Sequence, residues 1–323
     1  MVDGLINFNL NEKTPTIIKV IGVGGGGGNA VEYMYEKGIC DVDFVICNTD
    51  YQALRNSPIP CKIQLGKELT AGHGAGNNPA MGEKSAQESL ADIEAILKKD
   101  TRMAFITAAM GGGTGTGAAP VIARLSKDMG ILTVGIVSVP ARFEGPKRLD
   151  QARDGLRRLK DHVDCLIVID NEKIKSIYGS QTISQAFAKA NDVLNIAAKG
   201  IAEIITLPGY INVDFADVRT VMTDSGVAIM GAAQASGEDR AIRAITEALE
   251  SPLLNNNDIL GAKDILLNIT SGTDEITMDE MSQITSHIIR KVGNNAAVIW
   301  GVGTDPDLGD AVSVTIIATG FPS

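Results

Sequence analysis

Apolar residues come in short dense blocks along the first half of the chain, and each block yields to glycine or polar residues before a segment of different period. TIIKVIGV (16–23) is a β-branched run ending in glycine, and NAVEYMYEKG after it has helical spacing, which predicts strand, glycine turn and helix. DVDFVICNTD (41–50) reads as a second buried strand with a polar end. TAGHGAGNNP (70–79) is glycine-rich and closes on Pro79, a first-turn residue for the predicted helix AMGEKSAQESLADIEAILKK. TRMAFITAAM (101–110), ILTVGIVSVP (131–140) and VDCLIVID (163–170) read as further strands, with helices AAPVIARLSKDMG and KRLDQARDGLRRLKDH between them. Strands alternating with helices in this way imply a parallel sheet covered on both faces.

In such sheets ligands bind at the carboxyl ends of the strands. Polar or glycine-rich loops are expected there at 24–29, 48–50, 111–117 and 140–148, with 70–78 a candidate to join them. GGGTGTG (111–117) holds five glycines and two threonines between a predicted strand and an amphipathic helix, where a flexible linker has no place. Bare amides at a helix start favour an anion site over a structural glycine turn. No Gly-Lys-Ser/Thr follows, so this is not a P-loop of the usual kind. GVGGGGG (22–28) satisfies GxGxxG after a strand, and Asp50 sits near the distance of a ribose-binding acid. A nicotinamide-dependent oxidoreductase is therefore a rival reading, although such a domain has no use for a second, richer glycine loop.

Composition narrows the choice. With 44% hydrophobic and 21% charged residues the chain reads as an ordinary globular protein, and 323 residues suit two cores. A formal net charge of −10 argues against nucleic acid or an anionic membrane as main partner. Four cysteines without CxxC spacing, an acidic N-terminus without a signal pattern, and no run of membrane-spanning length lead us to expect a cytoplasmic protein with no direct membrane insertion.

GGGTGTGAAP resembles the phosphate loop of the tubulin family. GVGGGGGNAV, NTDYQAL, GAGNNP, FEGPKR, AFAKANDVL and NVDFADVRTVM resemble, in order and spacing, the blocks of its FtsZ branch, the bacterial cell-division GTPases. The resemblance runs from about residue 17 to about residue 320. It implies a tubulin-like α/β fold: a Rossmann-type parallel-sheet GTPase domain and a smaller α/β domain with a mixed sheet, joined by a long central helix. The expected division is a flexible N-terminus (1–15), a GTP-binding domain (16–180), the central helix (181–206), a catalytic loop with the following helix (207–223), and the C-terminal domain (224–320).

The resemblance also implies roles. Gly25, Gly26 and Asn29 would approach the phosphates of GTP or GDP. Ala75, Gly76 and Asn77 would lie near the terminal phosphate and its Mg2+, which phosphates and water rather than side chains would hold. Gly112, Gly113, Thr114, Gly115 and Thr116 would cradle the phosphates, and Glu144 and Arg148 would meet the ribose. Asn171, Phe187 and Asn191 would form the guanine set, with Phe187 stacked on the base and Asp192 beside them. The chain departs from the family pattern at His73, Asn77, Ala141, Arg142 and Asp170. Read singly, Asn29 is more simply a helix cap, Phe187 a core residue and Arg148 a solvated charge; these readings yield because all three fall in matching blocks.

Asp214 and Asp217 stand at i and i+3, which on spacing alone is an N-cap and a first-turn acid. By resemblance they position and polarise the attacking water, with Asn212 in support. If Phe187 touches the base, the central helix carries Asp214 about 25 Å or more from it. GTP extends about half of that, so the acids would serve a neighbour's nucleotide in a head-to-tail homopolymer. Activity is then expected to follow assembly into the midcell division ring. A scaffold of the same superfamily that no longer hydrolyses is the second rival. Membrane tethers and division regulators are expected to dock on a C-terminal peptide that these residues do not include. The downstream strands and helices read as a second α/β unit, and TDPDLGD (304–310) as a hairpin turn rather than a calcium loop.

Overall fold

The structure is a computed structural model and describes residues 16–206, 209–211, 213–250, 259–293 and 296–321; the expected flexible N-terminus (1–15) lies outside them. One sheet is built from β1 (Ile18–Val23), β2 (Val42–Asn48), β3 (Cys61–Gln64), β4 (Met103–Ala109), β5 (Leu132–Val139), β6 (Cys165–Asp170), β7 (Gly226–Ser236), β8 (Asp264–Ser271), β9 (Ala297–Thr304) and β10 (Ala311–Thr319). The helices are α1 (Gly24–Glu36), α2 (Tyr51–Asn56), α3 (Lys67–Thr70), α4 (Pro79–Glu88), α5 (Leu90–Leu97), α6 (Thr114–Asp128), α7 (Pro146–Lys160), α8 (Asn171–Tyr178), α9 (Ile183–Thr206), α10 (Phe215–Met222), α11 (Arg240–Glu250) and α12 (Met278–Val292).

The strand order is β3-β2-β1-β4-β5-β6-β7-β10-β8-β9. The first six strands are parallel, and β1, β4 and β5 are buried almost end to end, as their unbroken apolar runs require. The order reverses between β1 and β4, so α1 and α6 leave the sheet to opposite faces and open a crevice between their first turns. Dinucleotide-binding sheets share this arrangement, so topology to this point separates neither reading. The continuation does. β7 pairs parallel with β6 over only Gly226–Ala228 and then turns to run antiparallel to β10, which leads on to β8 and β9 in a mixed sheet.

Helix α9 corresponds to the predicted central helix. Its buried residues Ala190, Val193, Leu194, Ala197, Ala198, Ile201 and Ala202 follow the 3–4 period of one apolar stripe. They join α1 in the core on one face of the parallel sheet, and α6 fills the core on the other. A Cβ on Gly200 would come 2.8 Å from Thr315 Cγ2, so α9 passes close against β10 as well. A third core packs α11 and α12 on the C-terminal sheet.

The structure differs from the periodicity in several places. The predicted helix after Pro79 breaks at Ser89, whose hydroxyl accepts from the Gly66 amide at 3.1 Å and so is drawn toward the β3–α3 turn. The short elements α2, β3, α3 and α8 are not apparent from periodicity. The glycines at 24–28 and the Thr114–Gly117 stretch are not loops: they are the first turns of α1 and α6.

Candidate functional site

Glycine is a poor helix residue, so its use in two adjoining first turns needs a packing reason. A Cβ on Gly24, which has φ +73°, would come 2.8 Å from the Gly115 amide nitrogen. One on Gly113 would come 2.8 Å from the Asn78 nitrogen and 2.9 Å from the Ala75 Cβ. Three backbone segments thus meet where side chains have no room: the start of α1, residues 75–78, and the start of α6. Gly25 and Gly112 meet nothing within 4 Å on their Cβ side and face open space. No side chain caps either helix, so both leave first-turn amides without an intrahelical or side-chain acceptor. Paired helix N-termini with bare amides favour an anion.

The remaining predicted residues of this group take distinct places. Asn29 is exposed one turn into α1, so it is not the cap of that helix. Gly26 also lies on α1, where a Cβ would collide with Ala109. Thr114 Oγ1 lies 2.7 Å from Thr49 Oγ1, which ties the end of β2 to α6. Thr116 is buried, and its hydroxyl accepts from the Gly111 amide at 2.8 Å; its side chain braces the loop and does not face the crevice. Ala75 is buried, while Gly76 and Asn77 are exposed at φ +59° and +56°. Asn77 therefore occupies a left-handed position that asparagine tolerates better than most residues, which accounts for that departure. Asp50, the ribose candidate of the oxidoreductase reading, is spent as the cap of α2, where its carboxylate accepts from the amides of Gln52 and Ala53. His73 is exposed, and its amide donates to Thr70.

Beside this cradle lies a largely apolar cavity of about 230 Å³ between the 142–144 turn, α8 and the start of α9. Phe187 lines it and is half exposed. Asn171 opens α8, and its Oδ1 is buried in that wall without a hydrogen-bond donor. An orphaned buried acceptor is costly unless a ligand supplies the donor. Glu144 also lines the cavity; its carboxylate accepts from the Ala141 amide at 3.0 Å and pairs with Arg148 at 2.6 Å, so the two ribose candidates hold each other. Asn191 is one turn beyond Phe187 and is not among the lining residues. Asp192 accepts from the Tyr33 hydroxyl at 3.2 Å.

The other departures have local reasons. Asp170 caps α8 by accepting from the Glu172 amide. Ala141 is buried, and the Arg142 amide donates to Glu172 at 2.8 Å; that bond leads the causes that hold the Glu172 carboxyl below its usual range. Sequence reasoning missed Phe143 and Tyr178, which line the cavity, and Gln151, whose Nε2 donates to the Asn77 carbonyl while its buried Oε1 lacks a partner. The aspartate before Asn171 is a cap signal that would have exposed α8, and with it Tyr178.

Asp214 and Asp217 lie elsewhere. Asp214 caps α10, accepting from the Asp217 amide at 2.9 Å, and both side chains are exposed. Arg219 of α10 donates to the carbonyl of Gly130, just before β5 begins, and Asp224 pairs with Lys127 at 2.6 Å. The α10 end therefore sits by the amino ends of the parallel strands, whereas the cradle sits at their carboxyl ends. β5 alone, with its 8 residues, separates these levels by about 23 Å. From Phe187 to Thr206 helix α9 advances about 28 Å in the same sense. The cradle and the acids are at opposite poles of the chain. Asn212 lies outside the described residues. Among the described residues no cluster of His, Cys, Asp or Glu could hold a metal ion, and no helix is long and apolar enough to cross a membrane. Within 304–310, Asp305 caps a short turn of 3-10 helix at Pro306–Leu308.

Comparison with known proteins bears on the whole chain. The family model for the GTPase domain of the Tubulin/FtsZ family matches residues 17–179, and that for the C-terminal domain of the FtsZ family matches residues 226–322. The cell division protein FtsZ of Porphyromonas gingivalis is 50% identical over 324 residues, covering 99% of this chain and 71% of that protein. The protein of the same name from Coxiella burnetii is 48% identical, covering 98% of this chain and 82% of that protein. A solved FtsZ dimer from M. jannaschii superposes with a TM-score of 0.89 at 43% identity, over 95% of this chain and 89% of that one. With the glycine cradle, the long helix behind it and the mixed C-terminal sheet all in one chain, and both family models matched in order, this protein belongs to the FtsZ family.

Proposed function

We propose that this chain is the GTPase of a self-assembling division filament, with each active site shared between two head-to-tail subunits. The observation that carries the reading is the polarity of the site: amides without acceptors at one pole, a pair of exposed acids at the other. The amides of Gly25, Gly26, Gly112, Gly113, Thr114 and Gly115, with Asn29, receive the phosphates, and Thr116 holds the loop that presents them. Guanine enters the cavity against Phe187 and supplies ring N–H donors to Asn171, with Asn191 further along the helix; Glu144 and Arg148 meet the ribose. Mg2+ would sit near Ala75, Gly76 and Asn77, held mainly by the nucleotide's phosphates and water, and would offset phosphate charge there.

Asp214 and Asp217, supported by Asn212, orient and polarise water at the neighbour's terminal phosphate. The same contact, repeated, makes an open filament rather than a closed ring. The chain then divides as a nucleotide unit (16–180), the central helix (181–206), the acid-bearing segment (207–223) and the C-terminal unit (224–320). It acts at midcell, and tethers and regulators join it there.

The test measures GTP turnover per subunit against protein concentration, with light scattering on the same samples. Specific turnover should rise above a threshold as scattering appears. A constant specific rate down to the lowest concentration would sink the shared site and leave Asp214 a helix cap.

A further inference from the structure

The acids reach their place through the segment between α9 and α10, and the described part of that segment is fastened to the C-terminal sheet at several points. Ile211 exchanges two backbone hydrogen bonds with Val302 of β9, at 3.3 and 3.0 Å. Val213 is buried in the core that α9 helps to form. Between α9 and these anchors stands Tyr210, four residues before Asp214 and 67% exposed. Its hydroxyl donates to Glu275 Oε1 at 2.8 Å, and this bond leads the causes that push the Tyr210 hydroxyl above its usual range, so it stays a donor.

Glu275 is itself firmly held. Its carbonyl accepts from Arg240 Nη2 at 3.0 Å. Arg240 is buried and also binds the Asp274 carbonyl and carboxylate, the Asp310 carbonyl and both oxygens of Glu280. A buried guanidinium with every donor used fixes the turn from Asp274 to Glu280 as a rigid platform. An exposed hydrogen bond between two loose groups would do little. This one joins a fixed platform to a segment that ends on Asp214.

We propose that Tyr210 and Glu275 are a positioning pair that fixes the direction in which Asp214 is presented to the neighbouring subunit. The proposal rests on the shared-site reading above. A reacting water tolerates little misplacement, so a small drift of the segment should slow turnover without touching nucleotide binding, which happens at the other pole.

The experiment compares Tyr210→Phe, Glu275→Ala, Glu275→Gln, the double variant Tyr210→Phe/Glu275→Ala and Asp214→Ala in the full chain. Turnover at saturating GTP, the assembly threshold, affinity for a fluorescent GTP analogue and melting temperature are read for each. Tyr210→Phe and Glu275→Ala should each lower turnover about three- to tenfold, and the double variant no further, because both remove one bond. Glu275→Gln keeps an acceptor and should retain most of the rate. In the Tyr210 and Glu275 variants affinity, threshold and melting temperature should stay at parental values. Parental turnover in Tyr210→Phe, or losses that add in the double variant, overturns the pair while Asp214→Ala still reports on the shared site. A raised threshold with normal turnover marks Tyr210 as an interface contact and also overturns it. Parental turnover in Asp214→Ala defeats the shared-site reading itself, and the pair with it.

Discussion

The two poles treat their hydrogen-bonding groups in opposite ways. Around Gly24–Gly26 and Gly112–Gly115, two helices begin without side-chain caps, and nearby Asn171 and Gln151 keep buried oxygens without donors. At the far pole two helix starts are closed by side chains. Asp214 caps α10, and Thr277 with Glu280 forms a reciprocal capping box on α12. Arg240 spends its donors on neighbours of that box. Folding alone rewards the second arrangement. The first is stable company only for a ligand rich in acceptors at one end and ring donors at the other, which is what a guanine nucleotide offers. Buried oxygens without partners also occur elsewhere, at Thr206 and Ser271 for example, so the binding pole is marked by the two uncapped glycine helix starts that meet there.

The largest expected effect is on the closed pole. Replacing Arg240 by alanine strands Glu280, Asp274 and three carbonyls, and should cost about 3–5 kcal/mol in urea unfolding at pH 7. Acid should have a related effect in the parent chain. Arg240 holds the Glu280 carboxyl down to about 2, below its ordinary value of 4.5. A carboxyl depressed in the folded state stabilises at pH above its unfolded value and loses that contribution as pH falls toward the folded one. The window is therefore from about pH 4.5 down to about 2, and the amount about 3 kcal/mol. Glu280→Gln should flatten that part of the stability profile. An unchanged profile would show that the pair is not the closed hub its geometry describes.

Next in size is Asp214→Asn. Asparagine caps as well as aspartate, so stability should hold within about 0.5 kcal/mol. The charge is lost, however, and turnover in assembled samples should fall about a hundredfold. If turnover survives with the cap, the exposed acid is only a cap, and the poles differ in packing but not in chemistry.

Much of this contrast was legible in the sequence, but unevenly. The long strands and α9 stand out because burial on both faces, or on one stripe, writes a strong period. The glycine segments are legible as chemistry but not as helix, since propensity makes glycine a breaker. Their helical form is decided by the approach of Gly24 to Gly115 across 90 residues of chain, which no local pattern records. Asp50 and Asp170 were readable as caps after strands. The spacing of Asp50 also suits a ribose ligand and Asp170 departs from the family pattern, so neither residue by itself announces the short helix it caps. Phe143 and Tyr178 escaped because the cavity joins a turn and two helices only in three dimensions. The spacing of Asp214 and Asp217 did give the cap correctly, while their distance from the cradle needed the length of α9.

The smallest effect tests the open pole most directly. Gly112 has an ordinary φ and nothing within 4 Å on its Cβ side, so Gly112→Ala asks nothing of the folded chain. Alanine there should leave the melting temperature unchanged or slightly raised, because it restricts the unfolded chain. The added methyl does enter the space assigned to phosphate, and affinity for GTP should drop about tenfold, or about 1.4 kcal/mol. Gly113→Ala is the contrast, since its Cβ would press on Asn78 and Ala75 and should lower stability and affinity together. A Gly112→Ala chain that binds GTP as tightly as the parent would mean that the phosphates do not pass over Gly112. The open amides would then need another explanation than the one the two poles suggest.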